Sequence, residues 1–190
     1  MTQKTDTDQD PFDLDFTALF NPATKVEEPK PTAQQEKTLS EEAVIGESKL
    51  TSNGYFVRIN EAAPRRKPRG KPQTVLVVED DEVTATLLGR ILQAHGFAVT
   101  YAATRAAIIE GIKLFPDIVI MDVMMPDANG FDILNRIRTH PTLKDMPILM
   151  LTSLGSLDDI LKGLKLGANG YLTKPAKSRA LLDAIRQVLS

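Results

Sequence analysis

The feature that most constrains the fold of this chain is an alternation of two kinds of segment. Short runs of β-branched and other apolar residues alternate with longer segments that carry apolar residues at helical spacing, from about residue 73 onward. Strands that alternate with helices over short connections predict a parallel sheet with helices on both faces. We therefore expect an α/β domain with a doubly wound, five-stranded parallel sheet over residues 73–190.

The bounds of the predicted elements come from hydrophobic periodicity and from helix-ending residues. The predicted strands are Thr74–Glu79, Phe97–Ala102, Asp117–Asp122, Pro147–Thr152 and Gly170–Thr173. The predicted helices are Glu82–His95, Arg105–Phe115, Gly130–Thr139, Ser156–Leu166 and Lys177–Leu189. The third strand is apolar on both faces, which is typical of a central parallel strand. Spacing alone does not predict the order of the strands.

Composition excludes several classes of function. The chain has 190 residues, with 25 acidic and 23 basic side chains, so its charge does not indicate a nucleic-acid partner. It has no cysteine, which excludes disulfides and thiol chemistry. No apolar run is long enough for a membrane span, and the polar, acidic start does not resemble a secretory signal. We expect a cytoplasmic protein without membrane insertion.

Residues 1–72 differ in composition from the rest of the chain. They are rich in Thr, Glu, Pro, Gln and Lys, so we expect a largely disordered extension. Its segment 10–20 interleaves aromatic residues and leucines with aspartates, a pattern typical of a segment that folds on a partner. A solvated tail without a partner is an equally strong interpretation. Residues 65–72 form a basic linker that is rich in proline.

Polar residues follow the predicted strands at the points where the strands end. Asp80 follows the first strand, and Asp122 and Thr152 end the third and fourth strands. Tyr171 lies in the fifth strand, and Lys174 follows that strand. The carboxyl ends of parallel strands meet at one edge of the sheet, where ligands bind. Crowded carboxylates favour a divalent cation, and a nearby ammonium favours an anion. The pattern therefore predicts a site for a metal ion and a phosphoryl group.

These motifs resemble the receiver domain of two-component response regulators. The resemblance rests on Val-Leu-Val-Val-Glu79-Asp80-Asp81, on Ile-Val-Ile-Met-Asp122-Val-Met-Met-Pro126-Asp-Ala-Asn-Gly130, on Thr152-Ser153 and on Gly-Ala-Asn-Gly-Tyr171-Leu-Thr-Lys174-Pro175. It covers residues 73–190 and none of the first 72. It implies a CheY-like, flavodoxin-like strand order of 2-1-3-4-5 and a cis peptide bond between Lys174 and Pro175.

The predicted chemistry is phosphoryl transfer to a carboxylate. Asp122 is the expected acceptor, which would attack the phosphorus of a phosphohistidine. Mg²⁺ would be bound by Asp80, Asp122 and the backbone carbonyl of Met124, with Glu79 acting through a metal-bound water. The phosphoryl-binding and switching residues are expected to be Thr152, Ser153, Tyr171 and Lys174.

Other polar residues are better explained by ordinary structural roles. Asp81 is as well explained by capping of the following helix as by a role in the site. Asp127 and Asp132 are interpreted as solvated charges, and His95 and His140 as residues without a role in phosphoryl transfer.

Several functional interpretations remain open at this stage. The leading one is a phosphorylation-switched signalling protein, not a turnover enzyme, that receives phosphate from a histidine kinase or a histidine phosphotransfer protein. Because the sequence ends with the last predicted helix, we expect the output to be protein contact, made by the face of the fourth helix, fifth strand and fifth helix. The alternatives are a phosphorelay shuttle, a scaffold that acts through its tail, and a magnesium phosphatase. Met124 stands where such a phosphatase would need a general acid, which counts against the phosphatase interpretation.

Overall fold

The computed structural model describes residues 57–190 of the chain. The strands in this part are β1 (Val57–Ile59), β2 (Thr74–Val78), β3 (Ala98–Ala102), β4 (Ile118–Met121), β5 (Met124–Met125), β6 (Ala128–Asn129), β7 (Ile148–Thr152) and β8 (Gly170–Thr173). The helices are α1 (Glu82–Ala94), α2 (Arg105–Lys113), α3 (Gly130–Thr139), α4 (Leu157–Lys165) and α5 (Ser178–Leu189). Each predicted element is present, with ends that differ by no more than two residues. The acidic segment 10–20 lies outside the described residues.

The central sheet has the strand order β1-β8-β7-β4-β2-β3. Five neighbouring strands of this sheet, β3, β2, β4, β7 and β8, are parallel to one another. Numbered one to five by their sequence positions, they have the spatial order 2-1-3-4-5, which confirms the predicted fold class. The order reverses between β2 and β4, so a crevice opens at the carboxyl ends of these two strands. β5 and β6 form a separate two-stranded hairpin directly after β4.

The core has one layer on each face of the sheet. On one face α2, α3 and α4 pack on the sheet, and this layer contains the ring of Tyr171. On the other face α1 and α5 cover the sheet. The central strands β4 and β7 are buried throughout, as strands covered on both faces should be.

The segment before residue 73 corrects one sequence-based expectation. Residues 57–72, here called the N-terminal arm, were expected to belong to a largely disordered extension, but they lie against the domain. β1 pairs antiparallel with β8, with Val57 opposite Leu172, Arg58 opposite Tyr171 and Ile59 opposite Gly170. The sheet therefore has a sixth strand, which covers the edge that β8 would otherwise expose.

Asn169 fixes the arm beyond β1. Its buried side chain donates to the carbonyl oxygens of Ala63 and Pro64, and its Oδ1 accepts from Ile148 N and from Arg138. A buried amide needs such partners, because an unpaired one would cost roughly 1–3 kcal/mol. The arm supplies two of them, so it is part of the folded domain.

Arg66 and Asp117 hold the last part of the arm. The Arg66 guanidinium donates to the carbonyl oxygens of Phe115 and Pro116. Asp117 accepts from the backbone of Arg69 at 2.8 Å and from both the backbone and the hydroxyl of Thr74, at 2.8 and 3.0 Å. Burial on its own would raise the pKa of Asp117, but these hydrogen bonds outweigh it and hold the pKa below its usual range.

Asp81 and Asn129 cap the helices that follow them, which decides between the two roles left open for Asp81. Asp81 accepts from Thr84 N at 2.7 Å and caps α1, and Asn129 accepts from Phe131 N at 2.9 Å and caps α3. A side chain that accepts at this position replaces a missing helical partner. Asp81 thus takes the structural role, and the acids before it remain candidates for the site.

Candidate functional site

The site lies at the carboxyl ends of the parallel strands, in the crevice between β2 and β4. Glu79 and Asp80 follow β2, Asp122 follows β4, Thr152 ends β7, and Lys174 follows β8. Glu79 and Asp122 are buried, whereas Asp80 is exposed. The fold thus brings together residues that lie far apart in the sequence, at the edge where the strand pattern placed them.

Lys174 bridges two of the three carboxylates. Its Nζ donates to Oδ2 of Asp122 at 2.6 Å and to Oε2 of Glu79 at 2.5 Å. The Lys174 side chain is 20% exposed, so these charge-assisted bonds are partly shielded from water. Lys174 therefore pairs with two of the three acids, and this cluster of four side chains carries more negative than positive charge.

Backbone amides fix the other oxygen of Asp122. Its Oδ1 accepts from Val123 N at 2.6 Å and from Met124 N at 3.2 Å. Both carboxylate oxygens are thus held in defined directions, Oδ1 by the following loop and Oδ2 by Lys174. A carboxylate held in this way is oriented for attack on an incoming electrophile.

The pKa shifts at the site follow from burial and from Lys174. Burial raises the pKa of Glu79, and the hydrogen bond from Lys174 opposes that effect only in part. Burial would lower the pKa of Lys174, but its bonds to Asp122 and Glu79 outweigh burial and raise the pKa. Lys174 therefore remains a cation throughout the neutral range.

The three acids fit a divalent metal ion. Carboxylate oxygens of Glu79, Asp80 and Asp122 all lie within 4.8 Å of one another. An all-oxygen set of this kind suits Mg²⁺, which is commonly held by one or two carboxylates and retains several waters. Glu79 was predicted to act through a metal-bound water, and its direct partner in this structure is Lys174.

The hydroxyl residues occupy two different environments. Thr152 is fully buried, and its Oγ1 accepts from Leu154 N at 3.3 Å, in the loop that leads to α4. Ser153, the next residue, is exposed. The Thr152 hydroxyl thus links the end of β7 to the loop before α4.

Tyr171 is enclosed next to the site. Its ring is fully buried, and its hydroxyl donates to the Leu154 carbonyl oxygen at 2.9 Å. Burial raises the pKa of the Tyr171 phenol. Tyr171 and Thr152 therefore contact the same residue, Leu154, which supports the expectation that they act together.

Two glycines near the site were missed as functional positions by sequence reasoning. A Cβ on Gly130 would lie 2.3 Å from the carbonyl oxygen of Asp122, and a Cβ on Gly163 would lie 2.8 Å from the Tyr171 ring. In the sequence, Gly130 stands only as the last residue of the Asp122 motif and the first of a predicted helix. Its place in the Asp122 motif was a usable signal, whereas nothing in the sequence pairs Gly163 with Tyr171.

The peptide bond between Lys174 and Pro175 is cis, as predicted. The Lys71–Pro72 bond is also cis, which was not predicted. Met124 lies in the β5–β6 hairpin with an exposed side chain, and its backbone nitrogen contacts Asp122. A metal-binding role for its carbonyl stays a prediction.

With this fold and this acidic crevice, the chain belongs to the response regulator receiver domain family. The model of that family matches residues 75–186, more than half of the chain. The match begins within β2 and leaves out the N-terminal arm.

Relatives and solved structures agree with this assignment. The chain is 40% identical over 119 residues to the transcriptional regulatory protein CusR of Escherichia coli, covering 60% of this chain and 50% of that protein. It is 40% identical over 116 residues to the transcriptional regulatory protein CpxR of Escherichia coli, covering 60% and 48%. It superposes on the chemotaxis response regulator CheY4 of Vibrio cholerae with a TM-score of 0.57 and 35% identity, covering 62% of this chain and 98% of that one. The chain spans about half the length of the curated relatives it matches.

None of the helices within residues 57–190 combines the length and the apolar character needed to cross a bilayer.

Proposed function

We propose that this protein is a phospho-accepting component of a two-component signalling system, with Asp122 as the acceptor. The observation that carries the proposal is the contact between Lys174 Nζ and Asp122 Oδ2 at 2.6 Å, inside a cluster of three carboxylates. A carboxylate beside a cation and a metal-binding set is suited to receiving a negatively charged phosphoryl group, because transfer depends mainly on positioning and charge neutralisation.

The transfer exchanges one bond for another. A carboxylate oxygen of Asp122 forms a bond to phosphorus, the bond from phosphorus to the donor histidine nitrogen breaks, and the imidazole leaves with the electron pair. The product is an acyl phosphate on Asp122. Lys174 Nζ then binds a phosphoryl oxygen, and the Thr152 hydroxyl donates to another. Ser153 is proposed to line the opening of the site.

The residues proposed to hold Mg²⁺ are Asp80, Asp122 and the Met124 carbonyl, with Glu79 in the surrounding water shell. When bound, the ion supplies positive charge at the phosphoryl oxygens. This chain's own contribution is to orient Asp122 through the amides of Val123 and Met124, and to supply a second positive charge through Lys174.

The proposed donor is a histidine kinase or a histidine phosphotransfer protein. The proposed output is a protein target that binds the face formed by α4, β8 and α5, where Thr152 and Tyr171 report the state of Asp122. β1 borders this output face, because it covers the outer edge of β8. We also propose that the acidic segment 10–20 binds a partner. The proposed location of the protein is the cytoplasm, and the proposed role involves no turnover of external substrates.

Labelling tests the acceptor directly. The full chain, incubated with Mg²⁺ and a small acyl phosphate donor, should gain one phosphoryl group, which base removes. The Asp122→Asn variant should gain none, while Asp127→Asn, which alters an exposed acid in the neighbouring hairpin, should be labelled like the wild type. Full labelling of Asp122→Asn would overturn the assignment.

A second labelling experiment separates signal output from a phosphate shuttle. Rapid loss of label to an added histidine phosphotransfer protein favours the shuttle. A label that persists and raises affinity for another protein favours a signalling switch. Deletion of residues 1–56 leaves β1 in place and tests the scaffold alternative, because the scaffold requires those residues and phosphorylation of Asp122 does not.

A further inference from the structure

We infer that the N-terminal arm is a positioning segment that keeps the ring of Tyr171 in its buried site, and through that ring supports phosphoryl binding at Asp122. The structure links the arm to the ring, whereas the step from ring to phosphoryl group rests on the proposed function. The family match begins at residue 75, so the arm lies outside the part of the chain that the family model describes.

The register of β1 on β8 places Arg58 beside Tyr171. The two residues lie directly opposite each other, and residues opposed in this way have Cβ atoms about 4.5–5.5 Å apart. Val57 and Ile59 pack with the layer that α1 and α5 form. Because side chains alternate along a strand, Arg58 lies on the opposite face, which is the face of α4 and of the Tyr171 ring.

The position of Arg58 limits where the Tyr171 ring can go. Without β1, β8 would be the edge strand of the sheet, and the Tyr171 ring could rotate outward over that edge. With β1 docked, Arg58 lies opposite Tyr171 on the same face of the sheet, at the edge over which the ring would have to rotate. The docked arm therefore disfavours an outward ring and favours the buried one.

Asn60 joins the arm to the second wall of the ring site. Its backbone N donates to Asn169 O at 2.8 Å, just before β8, and its side-chain Nδ2 donates to the Leu164 carbonyl oxygen at 3.3 Å, in α4. Leu164 belongs to the same buried cluster as Tyr171. The arm thus connects α4 and β8, two of the elements around the ring.

Tyr171 carries the effect from the arm to the acceptor site. Its hydroxyl donates to Leu154 O, and Leu154 N donates to the Thr152 hydroxyl, which is the group proposed to bind a phosphoryl oxygen. If the docked arm favours the buried ring, then a phosphoryl group that also favours the buried ring must tighten the arm in return. This reciprocity is required of any two linked equilibria.

The arm is tested by breaking β1 in the full chain. Arg58→Pro removes a backbone N–H and fixes φ, which should prevent pairing with β8. Glu61→Pro is the matched control, because Glu61 is exposed and lies in the turn after β1, where proline is tolerated. Asn60→Ala is a milder variant that removes the hydrogen bond to α4, in case Arg58→Pro fails to fold.

Two readouts report the arm and the ring independently. Hydrogen exchange over residues 57–60 and 170–173 measures docking of the arm. Fluorine NMR of fluorotyrosine-labelled protein measures solvent exposure of the ring. The chain has three tyrosines, Tyr55, Tyr101 and Tyr171, so comparison with Tyr171→Phe assigns the signal.

Arg58→Pro should speed exchange in both segments and should move the Tyr171 signal toward that of an exposed ring, without any phosphoryl mimic. It should also weaken beryllofluoride binding in Mg²⁺ by about fivefold, at the low end of typical coupling between sites. Asn60→Ala should change both readouts in the same direction by a smaller amount, and Glu61→Pro should match the wild type.

Loss of arm protection in Arg58→Pro or Asn60→Ala with an unchanged Tyr171 signal would overturn the inference. The proposed function fails separately: if wild-type protein shows no Asp122-dependent beryllofluoride binding but the ring still moves in Arg58→Pro, then the arm positions the ring and Asp122 is not a phosphoryl acceptor. A ring that moves while beryllofluoride affinity stays within twofold of wild type would overturn the part of the inference that concerns Asp122.

Discussion

The Nζ atom of Lys174 lies 2.6 Å from Oδ2 of Asp122, although 52 positions separate the two residues in the sequence. The same nitrogen binds Glu79, so the lysine already neutralises part of the charge that a metal ion would otherwise meet. Asp80 is the one acid of the cluster for which the structure records no bond to Lys174, and it is also the exposed one. This arrangement assigns different consequences to the loss of each carboxylate.

Asp80→Asn should weaken Mg²⁺ binding by about tenfold, because it removes a charged oxygen ligand that Lys174 does not neutralise. Calorimetric titration of the full chain measures the affinity. Asp132→Asn removes one exposed charge from the first turn of α3 and serves as the control. Equal affinities in wild type and Asp80→Asn would show that the metal site is misplaced.

Glu79→Gln should stabilise the metal-free protein by about 1 kcal/mol, because ionised Glu79 is buried and lies close to Asp122. Lys174 keeps its bond to Asp122 in this variant. The gain should shrink when Mg²⁺ is added, since the ion relieves the same repulsion in the wild type. Urea unfolding with and without Mg²⁺ measures both effects, and a variant less stable than wild type without metal would contradict the argument.

Asp117→Asn should destabilise the domain by about 2 kcal/mol at neutral pH, because it weakens charged hydrogen bonds to the arm and to Thr74. The folded-state pKa of Asp117 is lowered, so its contribution is present above the ordinary carboxyl pKa of about 3.9 and is lost as the pH falls below it. The difference from wild type should therefore shrink toward pH of about 3. Unfolding curves across pH test this, with Asp183→Asn on α5 as the control.

Gly163→Ala should displace the Tyr171 ring, since the new Cβ would lie 2.8 Å from two ring carbons. Alanine raises helix propensity in α4 by about 1 kcal/mol, so overall stability should change little while the ring signal in fluorine NMR moves. Gly70→Ala, where a Cβ meets no atom within 4 Å, is the control. An unmoved ring signal would show that Phe131 and α4 adjust instead.

Thr152→Ala should leave Asp122 able to accept a phosphoryl group but weaken the effect of that group on α4 and β8. The hydroxyl is the group that would move toward the phosphoryl oxygens. Beryllofluoride should therefore slow hydrogen exchange in α4 and β8 less than in wild type, whereas Thr152→Ser, which keeps the hydroxyl, should behave like wild type. An undiminished effect in Thr152→Ala would exclude this residue as the switch.

Sequence reasoning located the parallel sheet and the polar residues at its edge because both leave local signals. A buried strand is a short apolar run, and the residue at its end faces the crevice whatever the rest of the chain does. The cis peptide before Pro175 came from the resemblance of its motif. Capping by Asp81 was one of two roles open to it in the sequence, because a cap bonds within three residues and leaves a local signal.

The arm could not be predicted in this way, because its stability comes from distant residues. β1 has only three residues, and its flanking sequence is polar and rich in proline, which resembles a linker. The side chains that hold the rest of the arm, Asn169 and Asp117, lie 106 and 48 sequence positions from the arm residues that they bind, Ala63 and Arg69. The local sequence does not distinguish an Arg-rich linker that stays in solvent from one whose arginine donates to carbonyl oxygens of the domain. The pairing of Lys174 with Glu79 could not be predicted either, because the two residues lie 95 positions apart.

The antiparallel pairing of β1 also changes what counts as one transferable domain. A chain cut at residue 73, where the parallel sheet begins, would present the bare edge of β8 and the unpaired amide of Asn169 to solvent. An open edge of this kind is a template for strand addition by another molecule, and such edges promote self-association. Grafts and fusions of this receiver should therefore start no later than Val57, and those that start at Gln73 should aggregate more readily.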